Sequence, residues 1–92
     1  MGLKLEIITP EYVLYRGEVD SVTVPGKGGK FQMLKNHAPI VATLEKGEIL
    51  IGTSQEAEIK HQKVENKGKD LVIKVEGGTI ELNNNHLIIL AE

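Results

Sequence analysis

Three histidines are the side chains of this 92-residue sequence best suited to acid–base or metal chemistry. His37 lies in the segment "LKNHAPI", and His61 and His86 are far from it along the chain. Histidine pairs that bind a metal from a β-strand stand two residues apart, because alternate side chains share a face. No pair has that spacing. A small-ligand or metal site formed by these three residues is therefore the alternative function and not the favoured one.

Catalysis would need a nucleophile with a base beside it, and the sequence offers no motif of that kind. Its two serines, Ser21 and Ser54, are outside any Gly-x-Ser-x-Gly turn, and it contains no cysteine. The glycine-rich segment "PGKGGK" joins two predicted strands and does not open a helix, so it lacks the helix N-terminus that binds phosphate. The sequence predicts a chain with no catalytic residue, no cofactor and no bound metal.

The segment around His37 has the residues of a preset loop. Asn36 favours a turn, and Pro39 forces the residue before it, Ala38, into an extended conformation. The imidazole of His37 is then displayed on a loop of defined shape. Since no base or nucleophile lies near it in sequence, we expect His37 to serve shape and contact.

Length and charge restrict the remaining possibilities. A chain of 92 residues suffices for one domain, predicted over residues 1–92, and a formal net charge of −2 gives no global attraction to nucleic acid. No segment approaches the roughly 18 consecutive apolar residues of a membrane span, and the N-terminus lacks a signal peptide pattern. Any membrane association is expected to come through a partner.

Alternation of apolar and polar residues dominates the chain and predicts strands from end to end. Leu3, Leu5 and Ile7 alternate with polar residues, and glycine or asparagine separates most of the strand-like runs. About nine or ten short strands result, which is typical of a β-sandwich or barrel. Val19 and Val22 have opposite parity, so we expect a bulge near Asp20.

Several strands carry apolar residues on both faces. Strict alternation cannot direct all of these residues, or their neighbours, into one core: Ile8, Val41, Leu50, Val72, Leu87 and Ile89. A covering loop or an unrecognised bulge would explain any single one. Together they predict an outer apolar patch that docks a partner.

Lysines are concentrated in one short segment. Lys27, Lys30 and Lys35 lie between Pro25 and Asn36 with no acidic residue among them. Such a run is either a solvated loop or a polar docking rim, in which charge sets orientation and association rate more than affinity.

Three segments resemble, in order, the N-terminal domain of the epsilon subunit of the F-type ATP synthase: "LKLEIITPEYVLYRGEVDSVTVPG", "FQMLKNHAPIVATLEKGEILI" and "VEGGTIELNNNHLIILAE". The resemblance implies an all-β fold, a ten-stranded β-sandwich of two sheets. It implies a non-catalytic rotor subunit of the central stalk that links the gamma subunit to the membrane c-ring in a proton- or sodium-translocating enzyme. The implied location is the cytoplasmic face of the bacterial inner membrane, reached through the complex.

The same resemblance assigns two contact regions by position. The c-ring contact would comprise Lys27, Lys30, Phe31 and Gln32. The gamma contact would comprise His37, Pro39, Val41, Ala42 and Thr43.

Two features depart from the family pattern. Many members have an acidic Glu-Gly-Glu where this chain has Gly28, Gly29 and Lys30, so the local charge is reversed. The sequence also ends at Glu92, where the family usually continues into a helical hairpin. We expect no C-terminal helical domain, and the start at Met1 without a tag favours a naturally short form.

Overall fold

The computed structural model describes residues 2–92, and these residues form eleven β-strands. The strands are β1 (Leu3–Ile8), β2 (Val13–Val19), β3 (Ser21–Gly26), β4 (Gly29–Leu34), β5 (Ile40–Leu44), β6 (Gly47–Gly52), β7 (Ile59–Lys60), β8 (Glu65–Lys67), β9 (Asp70–Val75), β10 (Gly78–Asn83) and β11 (His86–Ala91). The predicted all-β sandwich is confirmed. The structure has one strand more than the ten predicted, and the two-residue β7 lies at an edge of the sheet.

The strands form one continuous sheet that curls into two layers. The first layer has the order β7-β2-β1-β11-β10-β5, and the second has the order β4-β3-β6-β9-β8. A single residue pair, Gly26 with Leu44, joins β3 of the second layer to β5 of the first. The layers therefore behave as two sheets that share one corner.

The space between the layers is filled by aliphatic side chains. Leu5 and Ile7 of β1 face the core, as do Ile49 of β6 and Ile89 of β11, and all four are fully buried. The hydroxyl of Tyr15 is the buried side-chain polar atom without a hydrogen-bond partner among residues 2–92. The sequence has two tyrosines, one phenylalanine and no tryptophan, so interdigitating Leu, Ile and Val side chains fill most of the core.

The change of parity between Val19 and Val22 has a different cause from the expected bulge. Asp20 is the point where the chain leaves β2 in the first layer and enters β3 in the second, and its N–H donates to the Gly52 carbonyl at 2.8 Å. Both valines face the core from opposite sides. The bulge near Asp20 was therefore a wrong expectation.

An irregularity does occur in this pair of strands, at the other end of β2. The pairing of β1 with β2 shifts between Ile7, which faces Tyr15, and Ile8, which faces Val13. Leu14 is left over by this shift, and it is buried beside Tyr15. One extra residue on a strand has this effect on side-chain direction.

The parallel pairing of β1 with β11 defines two ends of the sandwich. At one end, Lys4 pairs with His86 beside the β10–β11 turn, and at the other Ile8 pairs with Leu90. We call these the turn end and the hairpin end. The loop between β4 and β5 lies at the turn end, whereas the β3–β4 hairpin, through the pairing of Gly26 with Leu44, lies at the hairpin end.

Candidate interaction surface

The solvent side of the first layer carries apolar side chains that the core does not use. Along one row of paired residues, Ile8 lies beside Leu90, Leu90 beside Thr79, and Thr79 beside Thr43. In the next row, Glu81 lies between Ile88 and Val41. We call this surface the outer face, defined by Glu6, Ile8, Val41, Thr43, Thr79, Glu81, Ile88 and Leu90. Val41 is 77% exposed and Leu90 is 52% exposed.

The predicted outer patch has a definite composition in the structure. Of the residues singled out, Ile8 and Val41 are on the outer face. Leu87 and Ile89 are fully buried, and their neighbours Ile88 and Leu90 face outward instead. Val72 belongs to the buried set and Leu50 is half-buried in β6. The sequence located β11 but did not show which face of that strand points outward.

Two shallow hollows border the exposed apolar residues. The hollow at the hairpin end has a volume of about 390 Å³, and its lining includes Ile8, Pro10 and Leu90. The hollow beside Val41 is about 290 Å³ and includes Pro39. Depressions of this size next to protruding apolar side chains suit the side chains of a protein partner better than a whole small molecule.

Three charged or titratable side chains, those of Glu6, Arg16 and His86, form a cluster on the β2 side of the outer face, which we call the polar centre. The carboxylate of Glu6 accepts a hydrogen bond from Arg16 Nε at 3.0 Å and another from His86 Nε2 at 2.8 Å. The hydrogen bond from His86, followed by the contact with Arg16, holds the pKa of Glu6 below its ordinary value of 4.5 against the opposing effect of burial. The arrangement keeps the carboxylate charged and in a fixed orientation.

The loop with His37 is shaped by a left-handed residue. Asn36 has a φ of 68°, and the N–H of His37 donates to the Leu34 carbonyl at 3.1 Å. The imidazole is half-buried, and its Nδ1–H donates to the Ala38 carbonyl at 2.7 Å. The ring is therefore held by the backbone of its own loop, and none of the hydrogen bonds or ion pairs found among residues 2–92 joins it to an acid or a base.

The other residues expected at the gamma contact divide between two faces. Pro39, Val41 and Thr43 are exposed, and the first two line the same hollow. Ala42 pairs with Ile80 and packs against the core from β5. Ala42 thus lies beneath the surface that its neighbours present.

The residues expected at the c-ring contact lie on the β3–β4 hairpin. Lys27 is at its exposed tip, and Lys30 and Gln32 are exposed on β4, where the Gln32 amide donates to Thr23 Oγ1 at 3.5 Å. Phe31 points the other way and covers Gly26, where an added Cβ would lie 2.6 Å from the ring. Lys27 and Lys30 take part in none of the ion pairs found among residues 2–92.

The three histidines do not meet. His61 stacks on Tyr12 at the hairpin end, with ring centroids 4.3 Å apart and an interplanar angle of 10°. His37 and His86 are at the turn end, and His86 is engaged with Glu6. Across residues 2–92, no three His, Asp or Glu side chains gather in a way that could hold a metal ion. The part of the chain described by the structure also has no helix long and apolar enough to cross a membrane.

Comparison with known proteins identifies the family of this chain. The sequence profile described as "ATP synthase, Delta/Epsilon chain, beta-sandwich domain" matches residues 2–92. A relative from Leptospira interrogans serovar copenhageni, named ATP synthase epsilon chain, is 44% identical over 91 residues, covering 98% of this chain and 61% of its own length. A relative of the same name from Chlorobium limicola is 37% identical, covering 99% of this chain and 90% of its own.

Solved structures share the fold. A chain in the central stalk and c-ring structure of the Tetrahymena thermophila mitochondrial ATP synthase has a TM-score of 0.72, with 97% of this chain and 62% of that chain covered. A chain of the Euglena gracilis mitochondrial ATP synthase has a TM-score of 0.74, with 97% and 49% covered. Both are 16% identical in sequence to this chain, so they establish the fold and nothing further.

Proposed function

This chain belongs to the ATP synthase delta/epsilon family through its β-sandwich domain, and we propose that it is a non-catalytic rotor subunit of the central stalk. In that role it links the gamma subunit to the c-ring, so that ion-driven rotation reaches the catalytic head. It works at the cytoplasmic face of a bacterial membrane and is held there by the complex. The coupling ion is a proton or sodium.

The exposed apolar residues of the outer face carry this proposal. Val41 is 77% exposed and Leu90 is 52% exposed. With Ile8 and Ile88 they lie on one face of the first layer, on β1, β11 and β5, with β10 between the last two. Apolar side chains clustered on an otherwise polar surface are typical of a protein-binding site. The outer face is the gamma-binding surface, with Pro39 and Thr43 at one border and the polar centre toward the other.

The position of the β3–β4 hairpin supports a second, separate contact. Its tip is at the hairpin end, whereas the loop with His37 is at the turn end. A module with contact elements at two ends can touch two partners at once. Lys27 and Lys30 then face acidic groups of the ring surface, with Gln32 beside them.

Introducing a negative charge on the outer face tests the gamma contact. We expect Val41→Glu and Leu90→Glu each to weaken binding of purified gamma subunit at least about tenfold, because each places a carboxylate in a desolvated contact. Both side chains are already exposed, so unfolding free energy should stay within about 0.5 kcal/mol of the parent. Isothermal titration and urea unfolding measure the two quantities.

The matched control is Asn66→Glu, which adds the same charge to an exposed position of β8 in the second layer. It should bind gamma as the parent does. If all three variants bind with the parent's affinity, the outer face is not the gamma-binding surface. If the folded parent fails to bind gamma at micromolar concentration, the rotor assignment itself is wrong.

A further inference from the structure

The loop between β4 and β5 crosses from one layer to the other with little to hold it. β4 pairs only with β3 of the second layer, and β5 pairs along its length with β10 of the first. Residues 35–38 make two hydrogen bonds within their own turn, from the N–H and the ring of His37. Beyond the paired strands at its two ends, a contact with another segment can therefore fix the position of this loop relative to the outer face.

That contact is a pair of asparagines. The N–H of Asn36 donates to Asn85 Oδ1 at 2.6 Å, and Asn85 Nδ2 donates to Asn36 Oδ1 at 3.4 Å. Among the hydrogen bonds made by residues 2–92, these two are the ones that join residues 35–38 to a distant part of the chain. Both residues have positive φ, 68° for Asn36 and 61° for Asn85, a left-handed conformation that asparagine adopts more readily than most residues.

Asn85 is itself anchored to the first layer. Its carbonyl accepts a hydrogen bond from the N–H of Lys4 at 2.8 Å, which ties the β10–β11 turn to the start of β1. The next residue, His86, bonds to Glu6 of the polar centre. The side-chain amide of Asn85 therefore connects the loop to strands that form the outer face.

We propose that Asn85 is a positioning residue for partner binding: its amide fixes the loop of residues 35–38 against the outer face, so that His37 and Pro39 meet the gamma subunit in one defined arrangement. This rests on the proposed function. Asn85 would act on the free energy needed to order residues 35–38 on binding, since a loop already fixed in its bound conformation loses less entropy.

The test compares two glycine substitutions at neighbouring left-handed positions. Asn85→Gly permits the same backbone conformation and removes the side chain that carries the amide, while Asn84→Gly, at a φ of 50°, makes the same change at a residue without the contact. We expect Asn85→Gly to weaken gamma binding about three- to tenfold, the effect of one net hydrogen bond. Asn84→Gly should bind within about twofold of the parent. Asn85→Asp, which keeps the acceptor oxygen for Asn36, should retain most of the affinity.

Amide hydrogen exchange supplies a measurement that does not depend on gamma. The Asn36 amide should exchange faster in Asn85→Gly than in the parent, with the core amides of β1 and β11 unchanged, while Asn84→Gly should leave it as it is. Equal gamma affinity in both glycine variants and the parent overturns the positioning role. So does unchanged exchange at Asn36. If the parent folds but does not bind gamma, the proposed function and the role of Asn85 in gamma binding are overturned together. In that case no variant binds gamma either.

Discussion

Glu6 is the residue on which the polar centre of the outer face depends. It accepts hydrogen bonds from two partners, Arg16 and His86, that come from β2 and β11 on either side of its own strand. Its side chain is 17% exposed, whereas those of Arg16 and His86 are 35% and 41% exposed. The carboxylate is thus the enclosed member, and its partners reach over it from the solvent side.

The lowered pKa of Glu6 predicts acid-sensitive stability. A carboxyl group whose folded pKa lies below the ordinary 4.5 stabilises the fold above that value and loses its contribution as pH falls through the folded pKa. We expect Glu6→Gln to cost about 0.5–1 kcal/mol at neutral pH, because its partners are partly exposed and screened. From about pH 6 to about pH 3 the parent should then lose more unfolding free energy than the variant.

Glu81→Gln is the control for this measurement. It also removes a carboxylate from the outer face, but the Glu81 carboxylate makes none of the side-chain hydrogen bonds found among residues 2–92. Urea unfolding across the same pH range should give it the acid dependence of the parent. If the unfolding free energy of Glu6→Gln falls as steeply as the parent's when the pH is lowered, the acid sensitivity comes from other groups.

The β3–β4 hairpin is the element whose shape depends most on glycine. Gly26 pairs with Gly29 across the turn, and Gly29 has a φ of 122°, a region that L side chains rarely adopt. Neither Gly28 nor Gly29 has another heavy atom within 4 Å of the place where a Cβ would stand. Substitution at these two positions therefore separates backbone strain from steric collision.

We predict that Gly29→Ala destabilises the domain by about 1–2 kcal/mol, because alanine must adopt the positive φ. Gly28→Ala meets equally open space and has no such φ, so its cost should stay within about 0.5 kcal/mol. The midpoint of urea unfolding at constant slope measures both. Equal effects of the two substitutions would mean that the turn relaxes to accept a side chain at Gly29.

At the scale of the whole molecule, the fold separates two contact regions by the length of its strands. The β3–β4 hairpin with Lys27 and Lys30 is at the hairpin end, and the loop held by Asn85 is at the turn end. Between them runs the outer face of the first layer. A rigid sandwich can then transmit torque from one partner to the other, which is what the proposed rotor role requires.

The reversed charge of the hairpin predicts a salt-sensitive ring contact. We expect Lys30→Glu to weaken attachment of the chain–gamma complex to the c-ring about three- to tenfold at about 50 mM salt, since it replaces attraction by repulsion. The difference should shrink toward about 0.5 M salt, where exposed charges are screened. Binding of the purified ring at several salt concentrations measures it.

Lys69→Glu makes the same charge change in the β8–β9 turn, where Lys67 and Asp70 are paired across the two strands. This turn is away from the β3–β4 hairpin. It should bind the ring as the parent does. If Lys30→Glu binds the ring as tightly as this control at low salt, Lys30 is not part of the ring contact.

The sequence predicted the class of fold well because strand alternation and turn residues are local signals. Leu3, Leu5 and Ile7 are buried as their spacing indicated. For β11 the pattern failed, because "HLIILA" is apolar at nearly every position and either face could have been the core face. The buried pair is Leu87 and Ile89.

The polar contacts of the candidate site were not predicted from the sequence. Glu6 and His86 are 80 residues apart and Asn36 and Asn85 are 49 apart, and no spacing rule connects residues at such distances. The local signals were Asn36 and the asparagine run at the β10–β11 turn, which indicated turns but not that the two turns would meet.

By itself the sequence determined an all-β chain and a His37 loop shaped by Asn36 and Pro39, because each follows from the preferences of residues close together in the chain. Only the tertiary structure decided which side of β11 is exposed, that the histidines stand apart, and that Asn85 holds the loop. Those features depend on the parallel pairing of β1 with β11 and on the corner between the layers. Such long-range register is set by the packing of the whole core and not by any one segment.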